Sequence, residues 1–145
     1  MEEWLEHQRR DEFWQHGSIC EDFDRVEIPA LVIAGWADGY RNTPLKAVEG
    51  LGDKAKALIG PWVHKYPHFA FPKPRADFHG EAIRWWNRWL RDEENGAENG
   101  PQVRAYILDG PRPSLRRDSD PGAGWRRTPG QRRKCISSAS PMTAG

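Results

Sequence analysis

A chain of 145 residues supports one ordinary domain and little more. Hydrophobic residues make up 37% and charged residues 30%, which fits a globular composition and excludes a wholly disordered chain. The formal net charge of +1 hides a split: residues 1–99 hold 13 Lys/Arg against 18 Asp/Glu, and residues 100–145 hold 9 against 3.

The first predicted element is a helix that Gly17 stops. Glu2 and Glu3 fall in its first turn, where the helix dipole favours acids, and Trp4, His7, Asp11 and Trp14 share one face. His7 and Asp11, four apart, read as a structural hydrogen-bonded pair rather than as catalytic partners. The acidic start Met1-Glu2-Glu3-Trp4 does not resemble a signal peptide, and Cys20 and Cys135 define no disulfide framework, so the expected setting is cytoplasmic. No apolar run approaches the roughly 20 residues of a membrane helix, and membrane partners are not expected.

The central stretch runs from Ile28 to His64. Residues 28–34 and 56–59 are short apolar runs closed by Gly35 and Gly60, each too short for a buried helix. Both read as strands of a parallel sheet covered on both faces. Between them, Thr43-Pro44 predicts an N-cap with proline at the first helical position, Leu45, Val48 and Leu51 an apolar stripe, and Gly52 a stop. A right-handed strand–helix–strand crossover places both strand ends on one edge of the sheet, which brings Asp38 and His64 within reach of each other. An acid after one strand and a histidine after the next is the order of the last two triad members in α/β-hydrolases, so Asp38 and His64 are the candidate catalytic acid and base.

A proline-rich loop follows, and Asp77 opens the most amphipathic helix of the chain, with Phe78, Ala82, Trp85, Trp86, Trp89 and Leu90 on its apolar face. The expectation is that Trp85 or Trp86, together with Trp89, packs on the two strands. Residues 92–100 read as a linker and residues 103–108 as the start of a new strand. Gln131 to Gly145 shows no period and is expected to be disordered. The basic residues after Gly100 are scattered among Pro and Gly with no helical face, so nucleic-acid binding is not expected. His64 and His68 are four apart, but Pro67 disfavours the helix that zinc ligands at this spacing need; no metal and no other cofactor is expected.

Taken together, residues 7–14 (HQRRDEFW), 35–40 (GWADGY), 60–68 (GPWVHKYPH) and 81–90 (EAIRWWNRWL) resemble the CocE/NonD hydrolases, the α/β-hydrolase family of cocaine esterase and the X-Pro dipeptidyl-peptidases. The resemblance covers about residues 1–110. It implies that Asp38 is the triad acid and His64 the triad base, and that the chain hydrolyses an ester or an X-Pro peptide or other amide bond through an acyl-enzyme. Its implied domain plan is the end of a helical cap and a connector at 1–27 and the C-terminal part of an α/β-hydrolase domain at 28–96. A linker and the start of a β jelly roll follow at 97–130, and a tail at 131–145.

The family's nucleophilic serine sits on a tight elbow, and no stretch of this sequence matches one: Gly17-Ser18-Ile19-Cys20 lacks the second glycine and follows a helix. The tyrosine that the family uses in its oxyanion hole has no counterpart either. The expectation is therefore a C-terminal fragment of a serine hydrolase that carries the acid and base without the nucleophile. The alternative is an inactive fragment or a non-catalytic binding module of the same fold. Trp36 and Trp62, which flank the two site positions, are expected to pack beneath them. The expected partner is a small ester or peptide substrate, and a homo-oligomer is left open.

Overall fold

The computed structural model describes residues 1–110 and 122–127. The elements are α1 (Glu2–Glu6), α2 (Glu12–His16), β1 (Ala30–Gly35), α3 (Thr43–Leu51), β2 (Ala55–Gly60), α4 (Phe78–Leu90), β3 (Val103–Leu108) and β4 (Gly122–Arg127), with two 3-10 turns between α2 and β1 and one after α3. They form a mixed four-stranded sheet of order β1-β2-β3-β4 with helices, an α/β arrangement. Strands β1 and β2 are parallel, with Ala30 opposite Ala55 and Gly35 opposite Gly60. Strand β3 runs parallel to β2, and β4 antiparallel to β3.

Each face of the sheet has its own apolar core. On one face Val48 and Leu51 of α3 meet Ala55, Ala57 and Ile59, and Val32, Trp36, Val103 and Ala105 pack around them. On the other, Leu58, Trp62 and Ala70 pack with Ile33 and Ala76. Burial on both faces is what makes β1 and β2 continuous apolar runs rather than alternating ones.

Several expectations are corrected in detail. The single N-terminal helix is two short helices, because the Asp11 carboxylate accepts from the Phe13 N–H and caps α2 instead of continuing α1. The expected His7–Asp11 hydrogen bond is present at 2.6 Å, and the Trp14 indole N–H donates to the His7 carbonyl, so the break is stitched closed. Helix α3 has Asn42, not Thr43, at its N-cap; its buried side is Pro44, Ala47, Val48 and Leu51, while Leu45 is exposed. The chain leaves α3 at Gly52, whose φ of 62° is a conformation open mainly to glycine.

Asp77 caps α4 as expected, accepting from the Gly80 N–H at 2.9 Å. Only Ala82 and Trp85 of this helix are buried; Trp86 is 56% and Leu90 76% exposed, and Trp89 is half-buried. The sheet-facing stripe of α4 is thus narrower than its apolar face. Residues 103–108, expected to open a separate jelly roll, lie in the same sheet, where they satisfy the second edge of β2. The expected tail, Gln131 to Gly145, lies outside the described residues.

Candidate active site

Asp38 and His64 lie on the loops that follow β1 and β2, at the carboxyl ends of two adjacent parallel strands. Two backbone hydrogen bonds tie these loops together: the Trp36 N–H donates to the Gly60 carbonyl at 2.8 Å, and the Ala37 N–H to the Trp62 carbonyl at 3.0 Å. Glycine is required for this approach. A Cβ on Gly35 would lie 1.8 Å from the Trp62 carbonyl oxygen, and one on Gly60 would lie 2.3 Å from the Trp62 ring. Trp62 itself is buried, and its indole N–H donates to the Pro74 carbonyl, which pins the proline-rich loop beneath the site.

With the loops held this way, His64 Nδ1 lies 2.8 Å from Asp38 Oδ2, although 26 positions separate the two residues. Asp38 is buried, whereas the His64 side chain is 79% exposed. The other carboxylate oxygen, Oδ1, accepts from the Tyr40 N–H at 2.9 Å, an Asx turn over Asp38-Gly39-Tyr40. That backbone bond, followed by the bond to His64, holds the Asp38 carboxyl below its ordinary value against the opposing effect of burial. Asp38 is therefore ionised at neutral pH and can only accept, so the hydrogen bond between them is donated by Nδ1 of His64.

A cleft of about 420 Å³ opens beside the pair, with Asp38 and His64 in its wall. Tyr66, Pro67, Phe69 and Phe78 give it an apolar side, and the ends of β1 form its floor at Ile33, Ala34 and Gly35. Tyr40 meets the His64 ring edge-on at 5.9 Å between centroids. Neither Trp36 nor Trp62 lines this cleft: Trp36 packs in the α3-side core with its indole N–H on the Tyr106 carbonyl, and Trp62 lies in the core of the opposite face. Of the apolar wall, the sequence marks only Phe78, as part of the apolar face of α4, and assigns no cavity to Tyr66, Pro67 or Phe69. The signal was the aromatic spacing in Tyr66-Pro67-His68-Phe69, which alone does not say which rings face a cavity.

The remaining chemistry-bearing residues lie elsewhere. Ser18 donates its hydroxyl to the Trp14 carbonyl and lines a different cleft from His64. His68 joins Phe78 and His79 in a ring cluster, its centroid 4.3 Å from that of His79. Among the described residues, no group of three or more His, Cys, Asp or Glu is placed to hold a metal ion, and no helix is long and apolar enough to cross a membrane.

Residues 1–66, which include both Asp38 and His64, match the X-Pro dipeptidyl-peptidase family (S15 family). The chain is also 29% identical over 121 residues to the cocaine esterase of Rhodococcus sp. (strain MB1 Bresler). That similarity covers 74% of this chain and 21% of the esterase, so the chain spans about a fifth of the length of this curated relative. On these two similarities, the chain resembles the S15-type X-Pro dipeptidyl-peptidases over residues 1–66 and a cocaine esterase over 121 residues.

Proposed function

We propose that Asp38 and His64 are the acid and the base of a serine-hydrolase centre that cleaves ester or X-Pro amide bonds through an acyl-enzyme. The observation that carries this reading is the 2.8 Å bond between a buried, ionised carboxylate and Nδ1 of an imidazole that lines a cleft. A serine hydroxyl is a weak nucleophile at neutral pH until a base takes its proton. His64 Nε2 takes that proton as the hydroxyl attacks the substrate carbonyl, then returns it to the leaving alcohol or amine. In deacylation it draws a proton from water in the same way. Asp38 holds the ring in the required tautomer and stabilises the imidazolium that forms at each step.

The apolar wall of Tyr66, Phe69 and Phe78 suits a substrate with a hydrophobic group next to the scissile carbonyl. No stretch of the sequence fits a serine elbow, so in this reading the nucleophile comes from a polypeptide outside these 145 residues.

A second reading, a non-catalytic module of the same fold, is favoured by the missing elbow and by the exposure of His64. Ester hydrolysis separates the two. The chain is assayed alone and after mixing with a polypeptide that carries the serine elbow of a family member. Saturable turnover only in the mixture, abolished by His64→Ala, is expected; its absence from every mixture that forms a complex favours the module.

A further inference from the structure

A second cavity, of about 270 Å³, lies between α4 and the sheet and shares no lining residue with the cleft beside His64. Its lining brings together Lys56 of β2, Arg104 of β3, Glu81 and Arg84 of α4, and Asn99 from the loop after α4. We propose that this cavity is a binding site for a small oxyanion, a phosphate or carboxylate group.

The charges on its wall do not balance. Arg104 is engaged in a two-pronged pair with Glu81, with both bonds at 2.6 Å. Lys56 and Arg84 meet only neutral carbonyls among their hydrogen bonds, the ammonium on Gly100 at 2.6 Å and the guanidinium on Asn95 at 3.1 Å. Glu98, whose carboxyl is held low by a backbone hydrogen bond, then by Arg88 and last by the charge of Arg84, forms its ion pair with Arg88 at 2.8 Å. Neither member of that pair lines the cavity, whose wall therefore carries three cations, Lys56, Arg84 and Arg104, against the one carboxylate of Glu81. The acidic run Asp92-Glu93-Glu94 precedes Asn95 but does not line the cavity.

Arg84 is exposed and Lys56 half-buried, so an anion can reach both, and arginine keeps its charge at any ordinary pH. Donors are also gathered at one point. A methyl group on Gly96, where φ is 70°, would lie 3.6 Å from Asn99 Nδ2 and 3.7 Å from Arg84 Nη2, so both nitrogens lie close to the Gly96 backbone. Lys56 has two further N–H donors beyond its bond to Gly100. Charged donors of this kind recognise oxyanions more strongly than neutral ones. A bound anion would clamp residues 95–101 to α4 and β2. The site lies near the strand starts, Lys56 being the second residue of β2, so it is separate from the proposed hydrolytic centre.

The test is titration of the full chain with inorganic phosphate, and separately with acetate, at fixed ionic strength. Binding is followed by calorimetry and by the amide signals of Gly96, Gly100 and Asn99. Saturable binding of either anion is expected, and comparison of the two shows whether phosphate or carboxylate is preferred. Lys56→Met and Arg84→Gln should each weaken it by about tenfold or more. Lys56→Arg should retain it and shows that loss in Lys56→Met is not a failure to fold. Lys46→Met, on the exposed side of α3, should leave it unchanged. No saturable binding to the folded chain, or binding that survives Lys56→Met and Arg84→Gln or falls equally in Lys46→Met, would overturn the proposal.

Discussion

His64 Nδ1 and Asp38 Oδ2 stand 2.8 Å apart because Gly35 lets the end of β1 touch the Trp62 carbonyl. The Asp38–His64 contact is thus a consequence of backbone closeness two to three residues before each side chain. The first prediction tests the contact directly. Nitrogen NMR of the His64 ring at neutral pH should show the proton on Nδ1, and Asp38→Asn should abolish that preference. In the complemented esterase assay the same substitution should lower turnover by about three to four orders of magnitude, the scale on which a triad acid acts. An unchanged tautomer and rate would show that Asp38 does not orient His64.

Gly35→Ala forces a Cβ against the Trp62 carbonyl oxygen, a backbone atom that cannot turn aside. Destabilisation of roughly 1–3 kcal/mol or more is expected from overpacking of this kind. The loops should also move apart, so His64 should lose its Nδ1 preference although neither site residue has changed. A denaturation midpoint equal to that of the parent chain would contradict this.

Tryptophans of α4 should separate by burial rather than by sequence. Trp85 is buried, and Trp85→Ala should cost about 3–5 kcal/mol. Trp86 is more than half exposed, and Trp86→Ala should change stability by no more than about 0.5 kcal/mol. Urea unfolding of the two variants decides between this ordering and its reverse.

Acid should weaken the fold partly through Asp38. Its folded value lies below the ordinary 3.8, so the ionised form contributes stability that is fully present above that pH. The contribution is lost as pH falls through the lowered folded value, because the unfolded chain then binds the proton more readily. Asp11, held low chiefly by its bond to His7, acts in the same direction. Stability measured between pH 6 and pH 3 should therefore fall less steeply in Asp38→Asn than in the parent.

Solution behaviour should reflect the edge of the sheet. Among the described residues β1 pairs only with β2, so its outer side presents unpaired backbone groups, and Ile83, Trp86 and Leu90 stand exposed on α4. The purified chain should associate in a concentration-dependent way or require a partner for solubility. Sedimentation is the measurement, and a monomer at every concentration would show that this edge is protected.

Much of the site was legible because short-range chemistry fixes it. Two apolar runs closed by glycine, with a helix between them, leave few arrangements other than a right-handed parallel crossover, and that topology puts residues 38 and 64 on one edge. Capping was legible only where one residue had no competitor, as at Asp77. It failed at the N-terminus, where Asp11 could serve either as a member of a helix face or as a cap. The tertiary structure made that choice through the Trp14–His7 bond, which rewards the break. It also decided which aromatic rings are core. A wide apolar face on α4 states only that some stripe is buried, and the sheet accommodates Trp85 but not Trp86. Likewise the place of Val103–Leu108 was undecidable from six residues of strand character, since what settles it is the free edge of β2. Sequence by itself determined the strand–helix–strand unit and the shared edge on which Asp38 and His64 lie. The cleft wall, the glycine-dependent closeness of the two loops and the unbalanced charges under α4 depend on packing between residues far apart in the chain, and only the folded arrangement decides them.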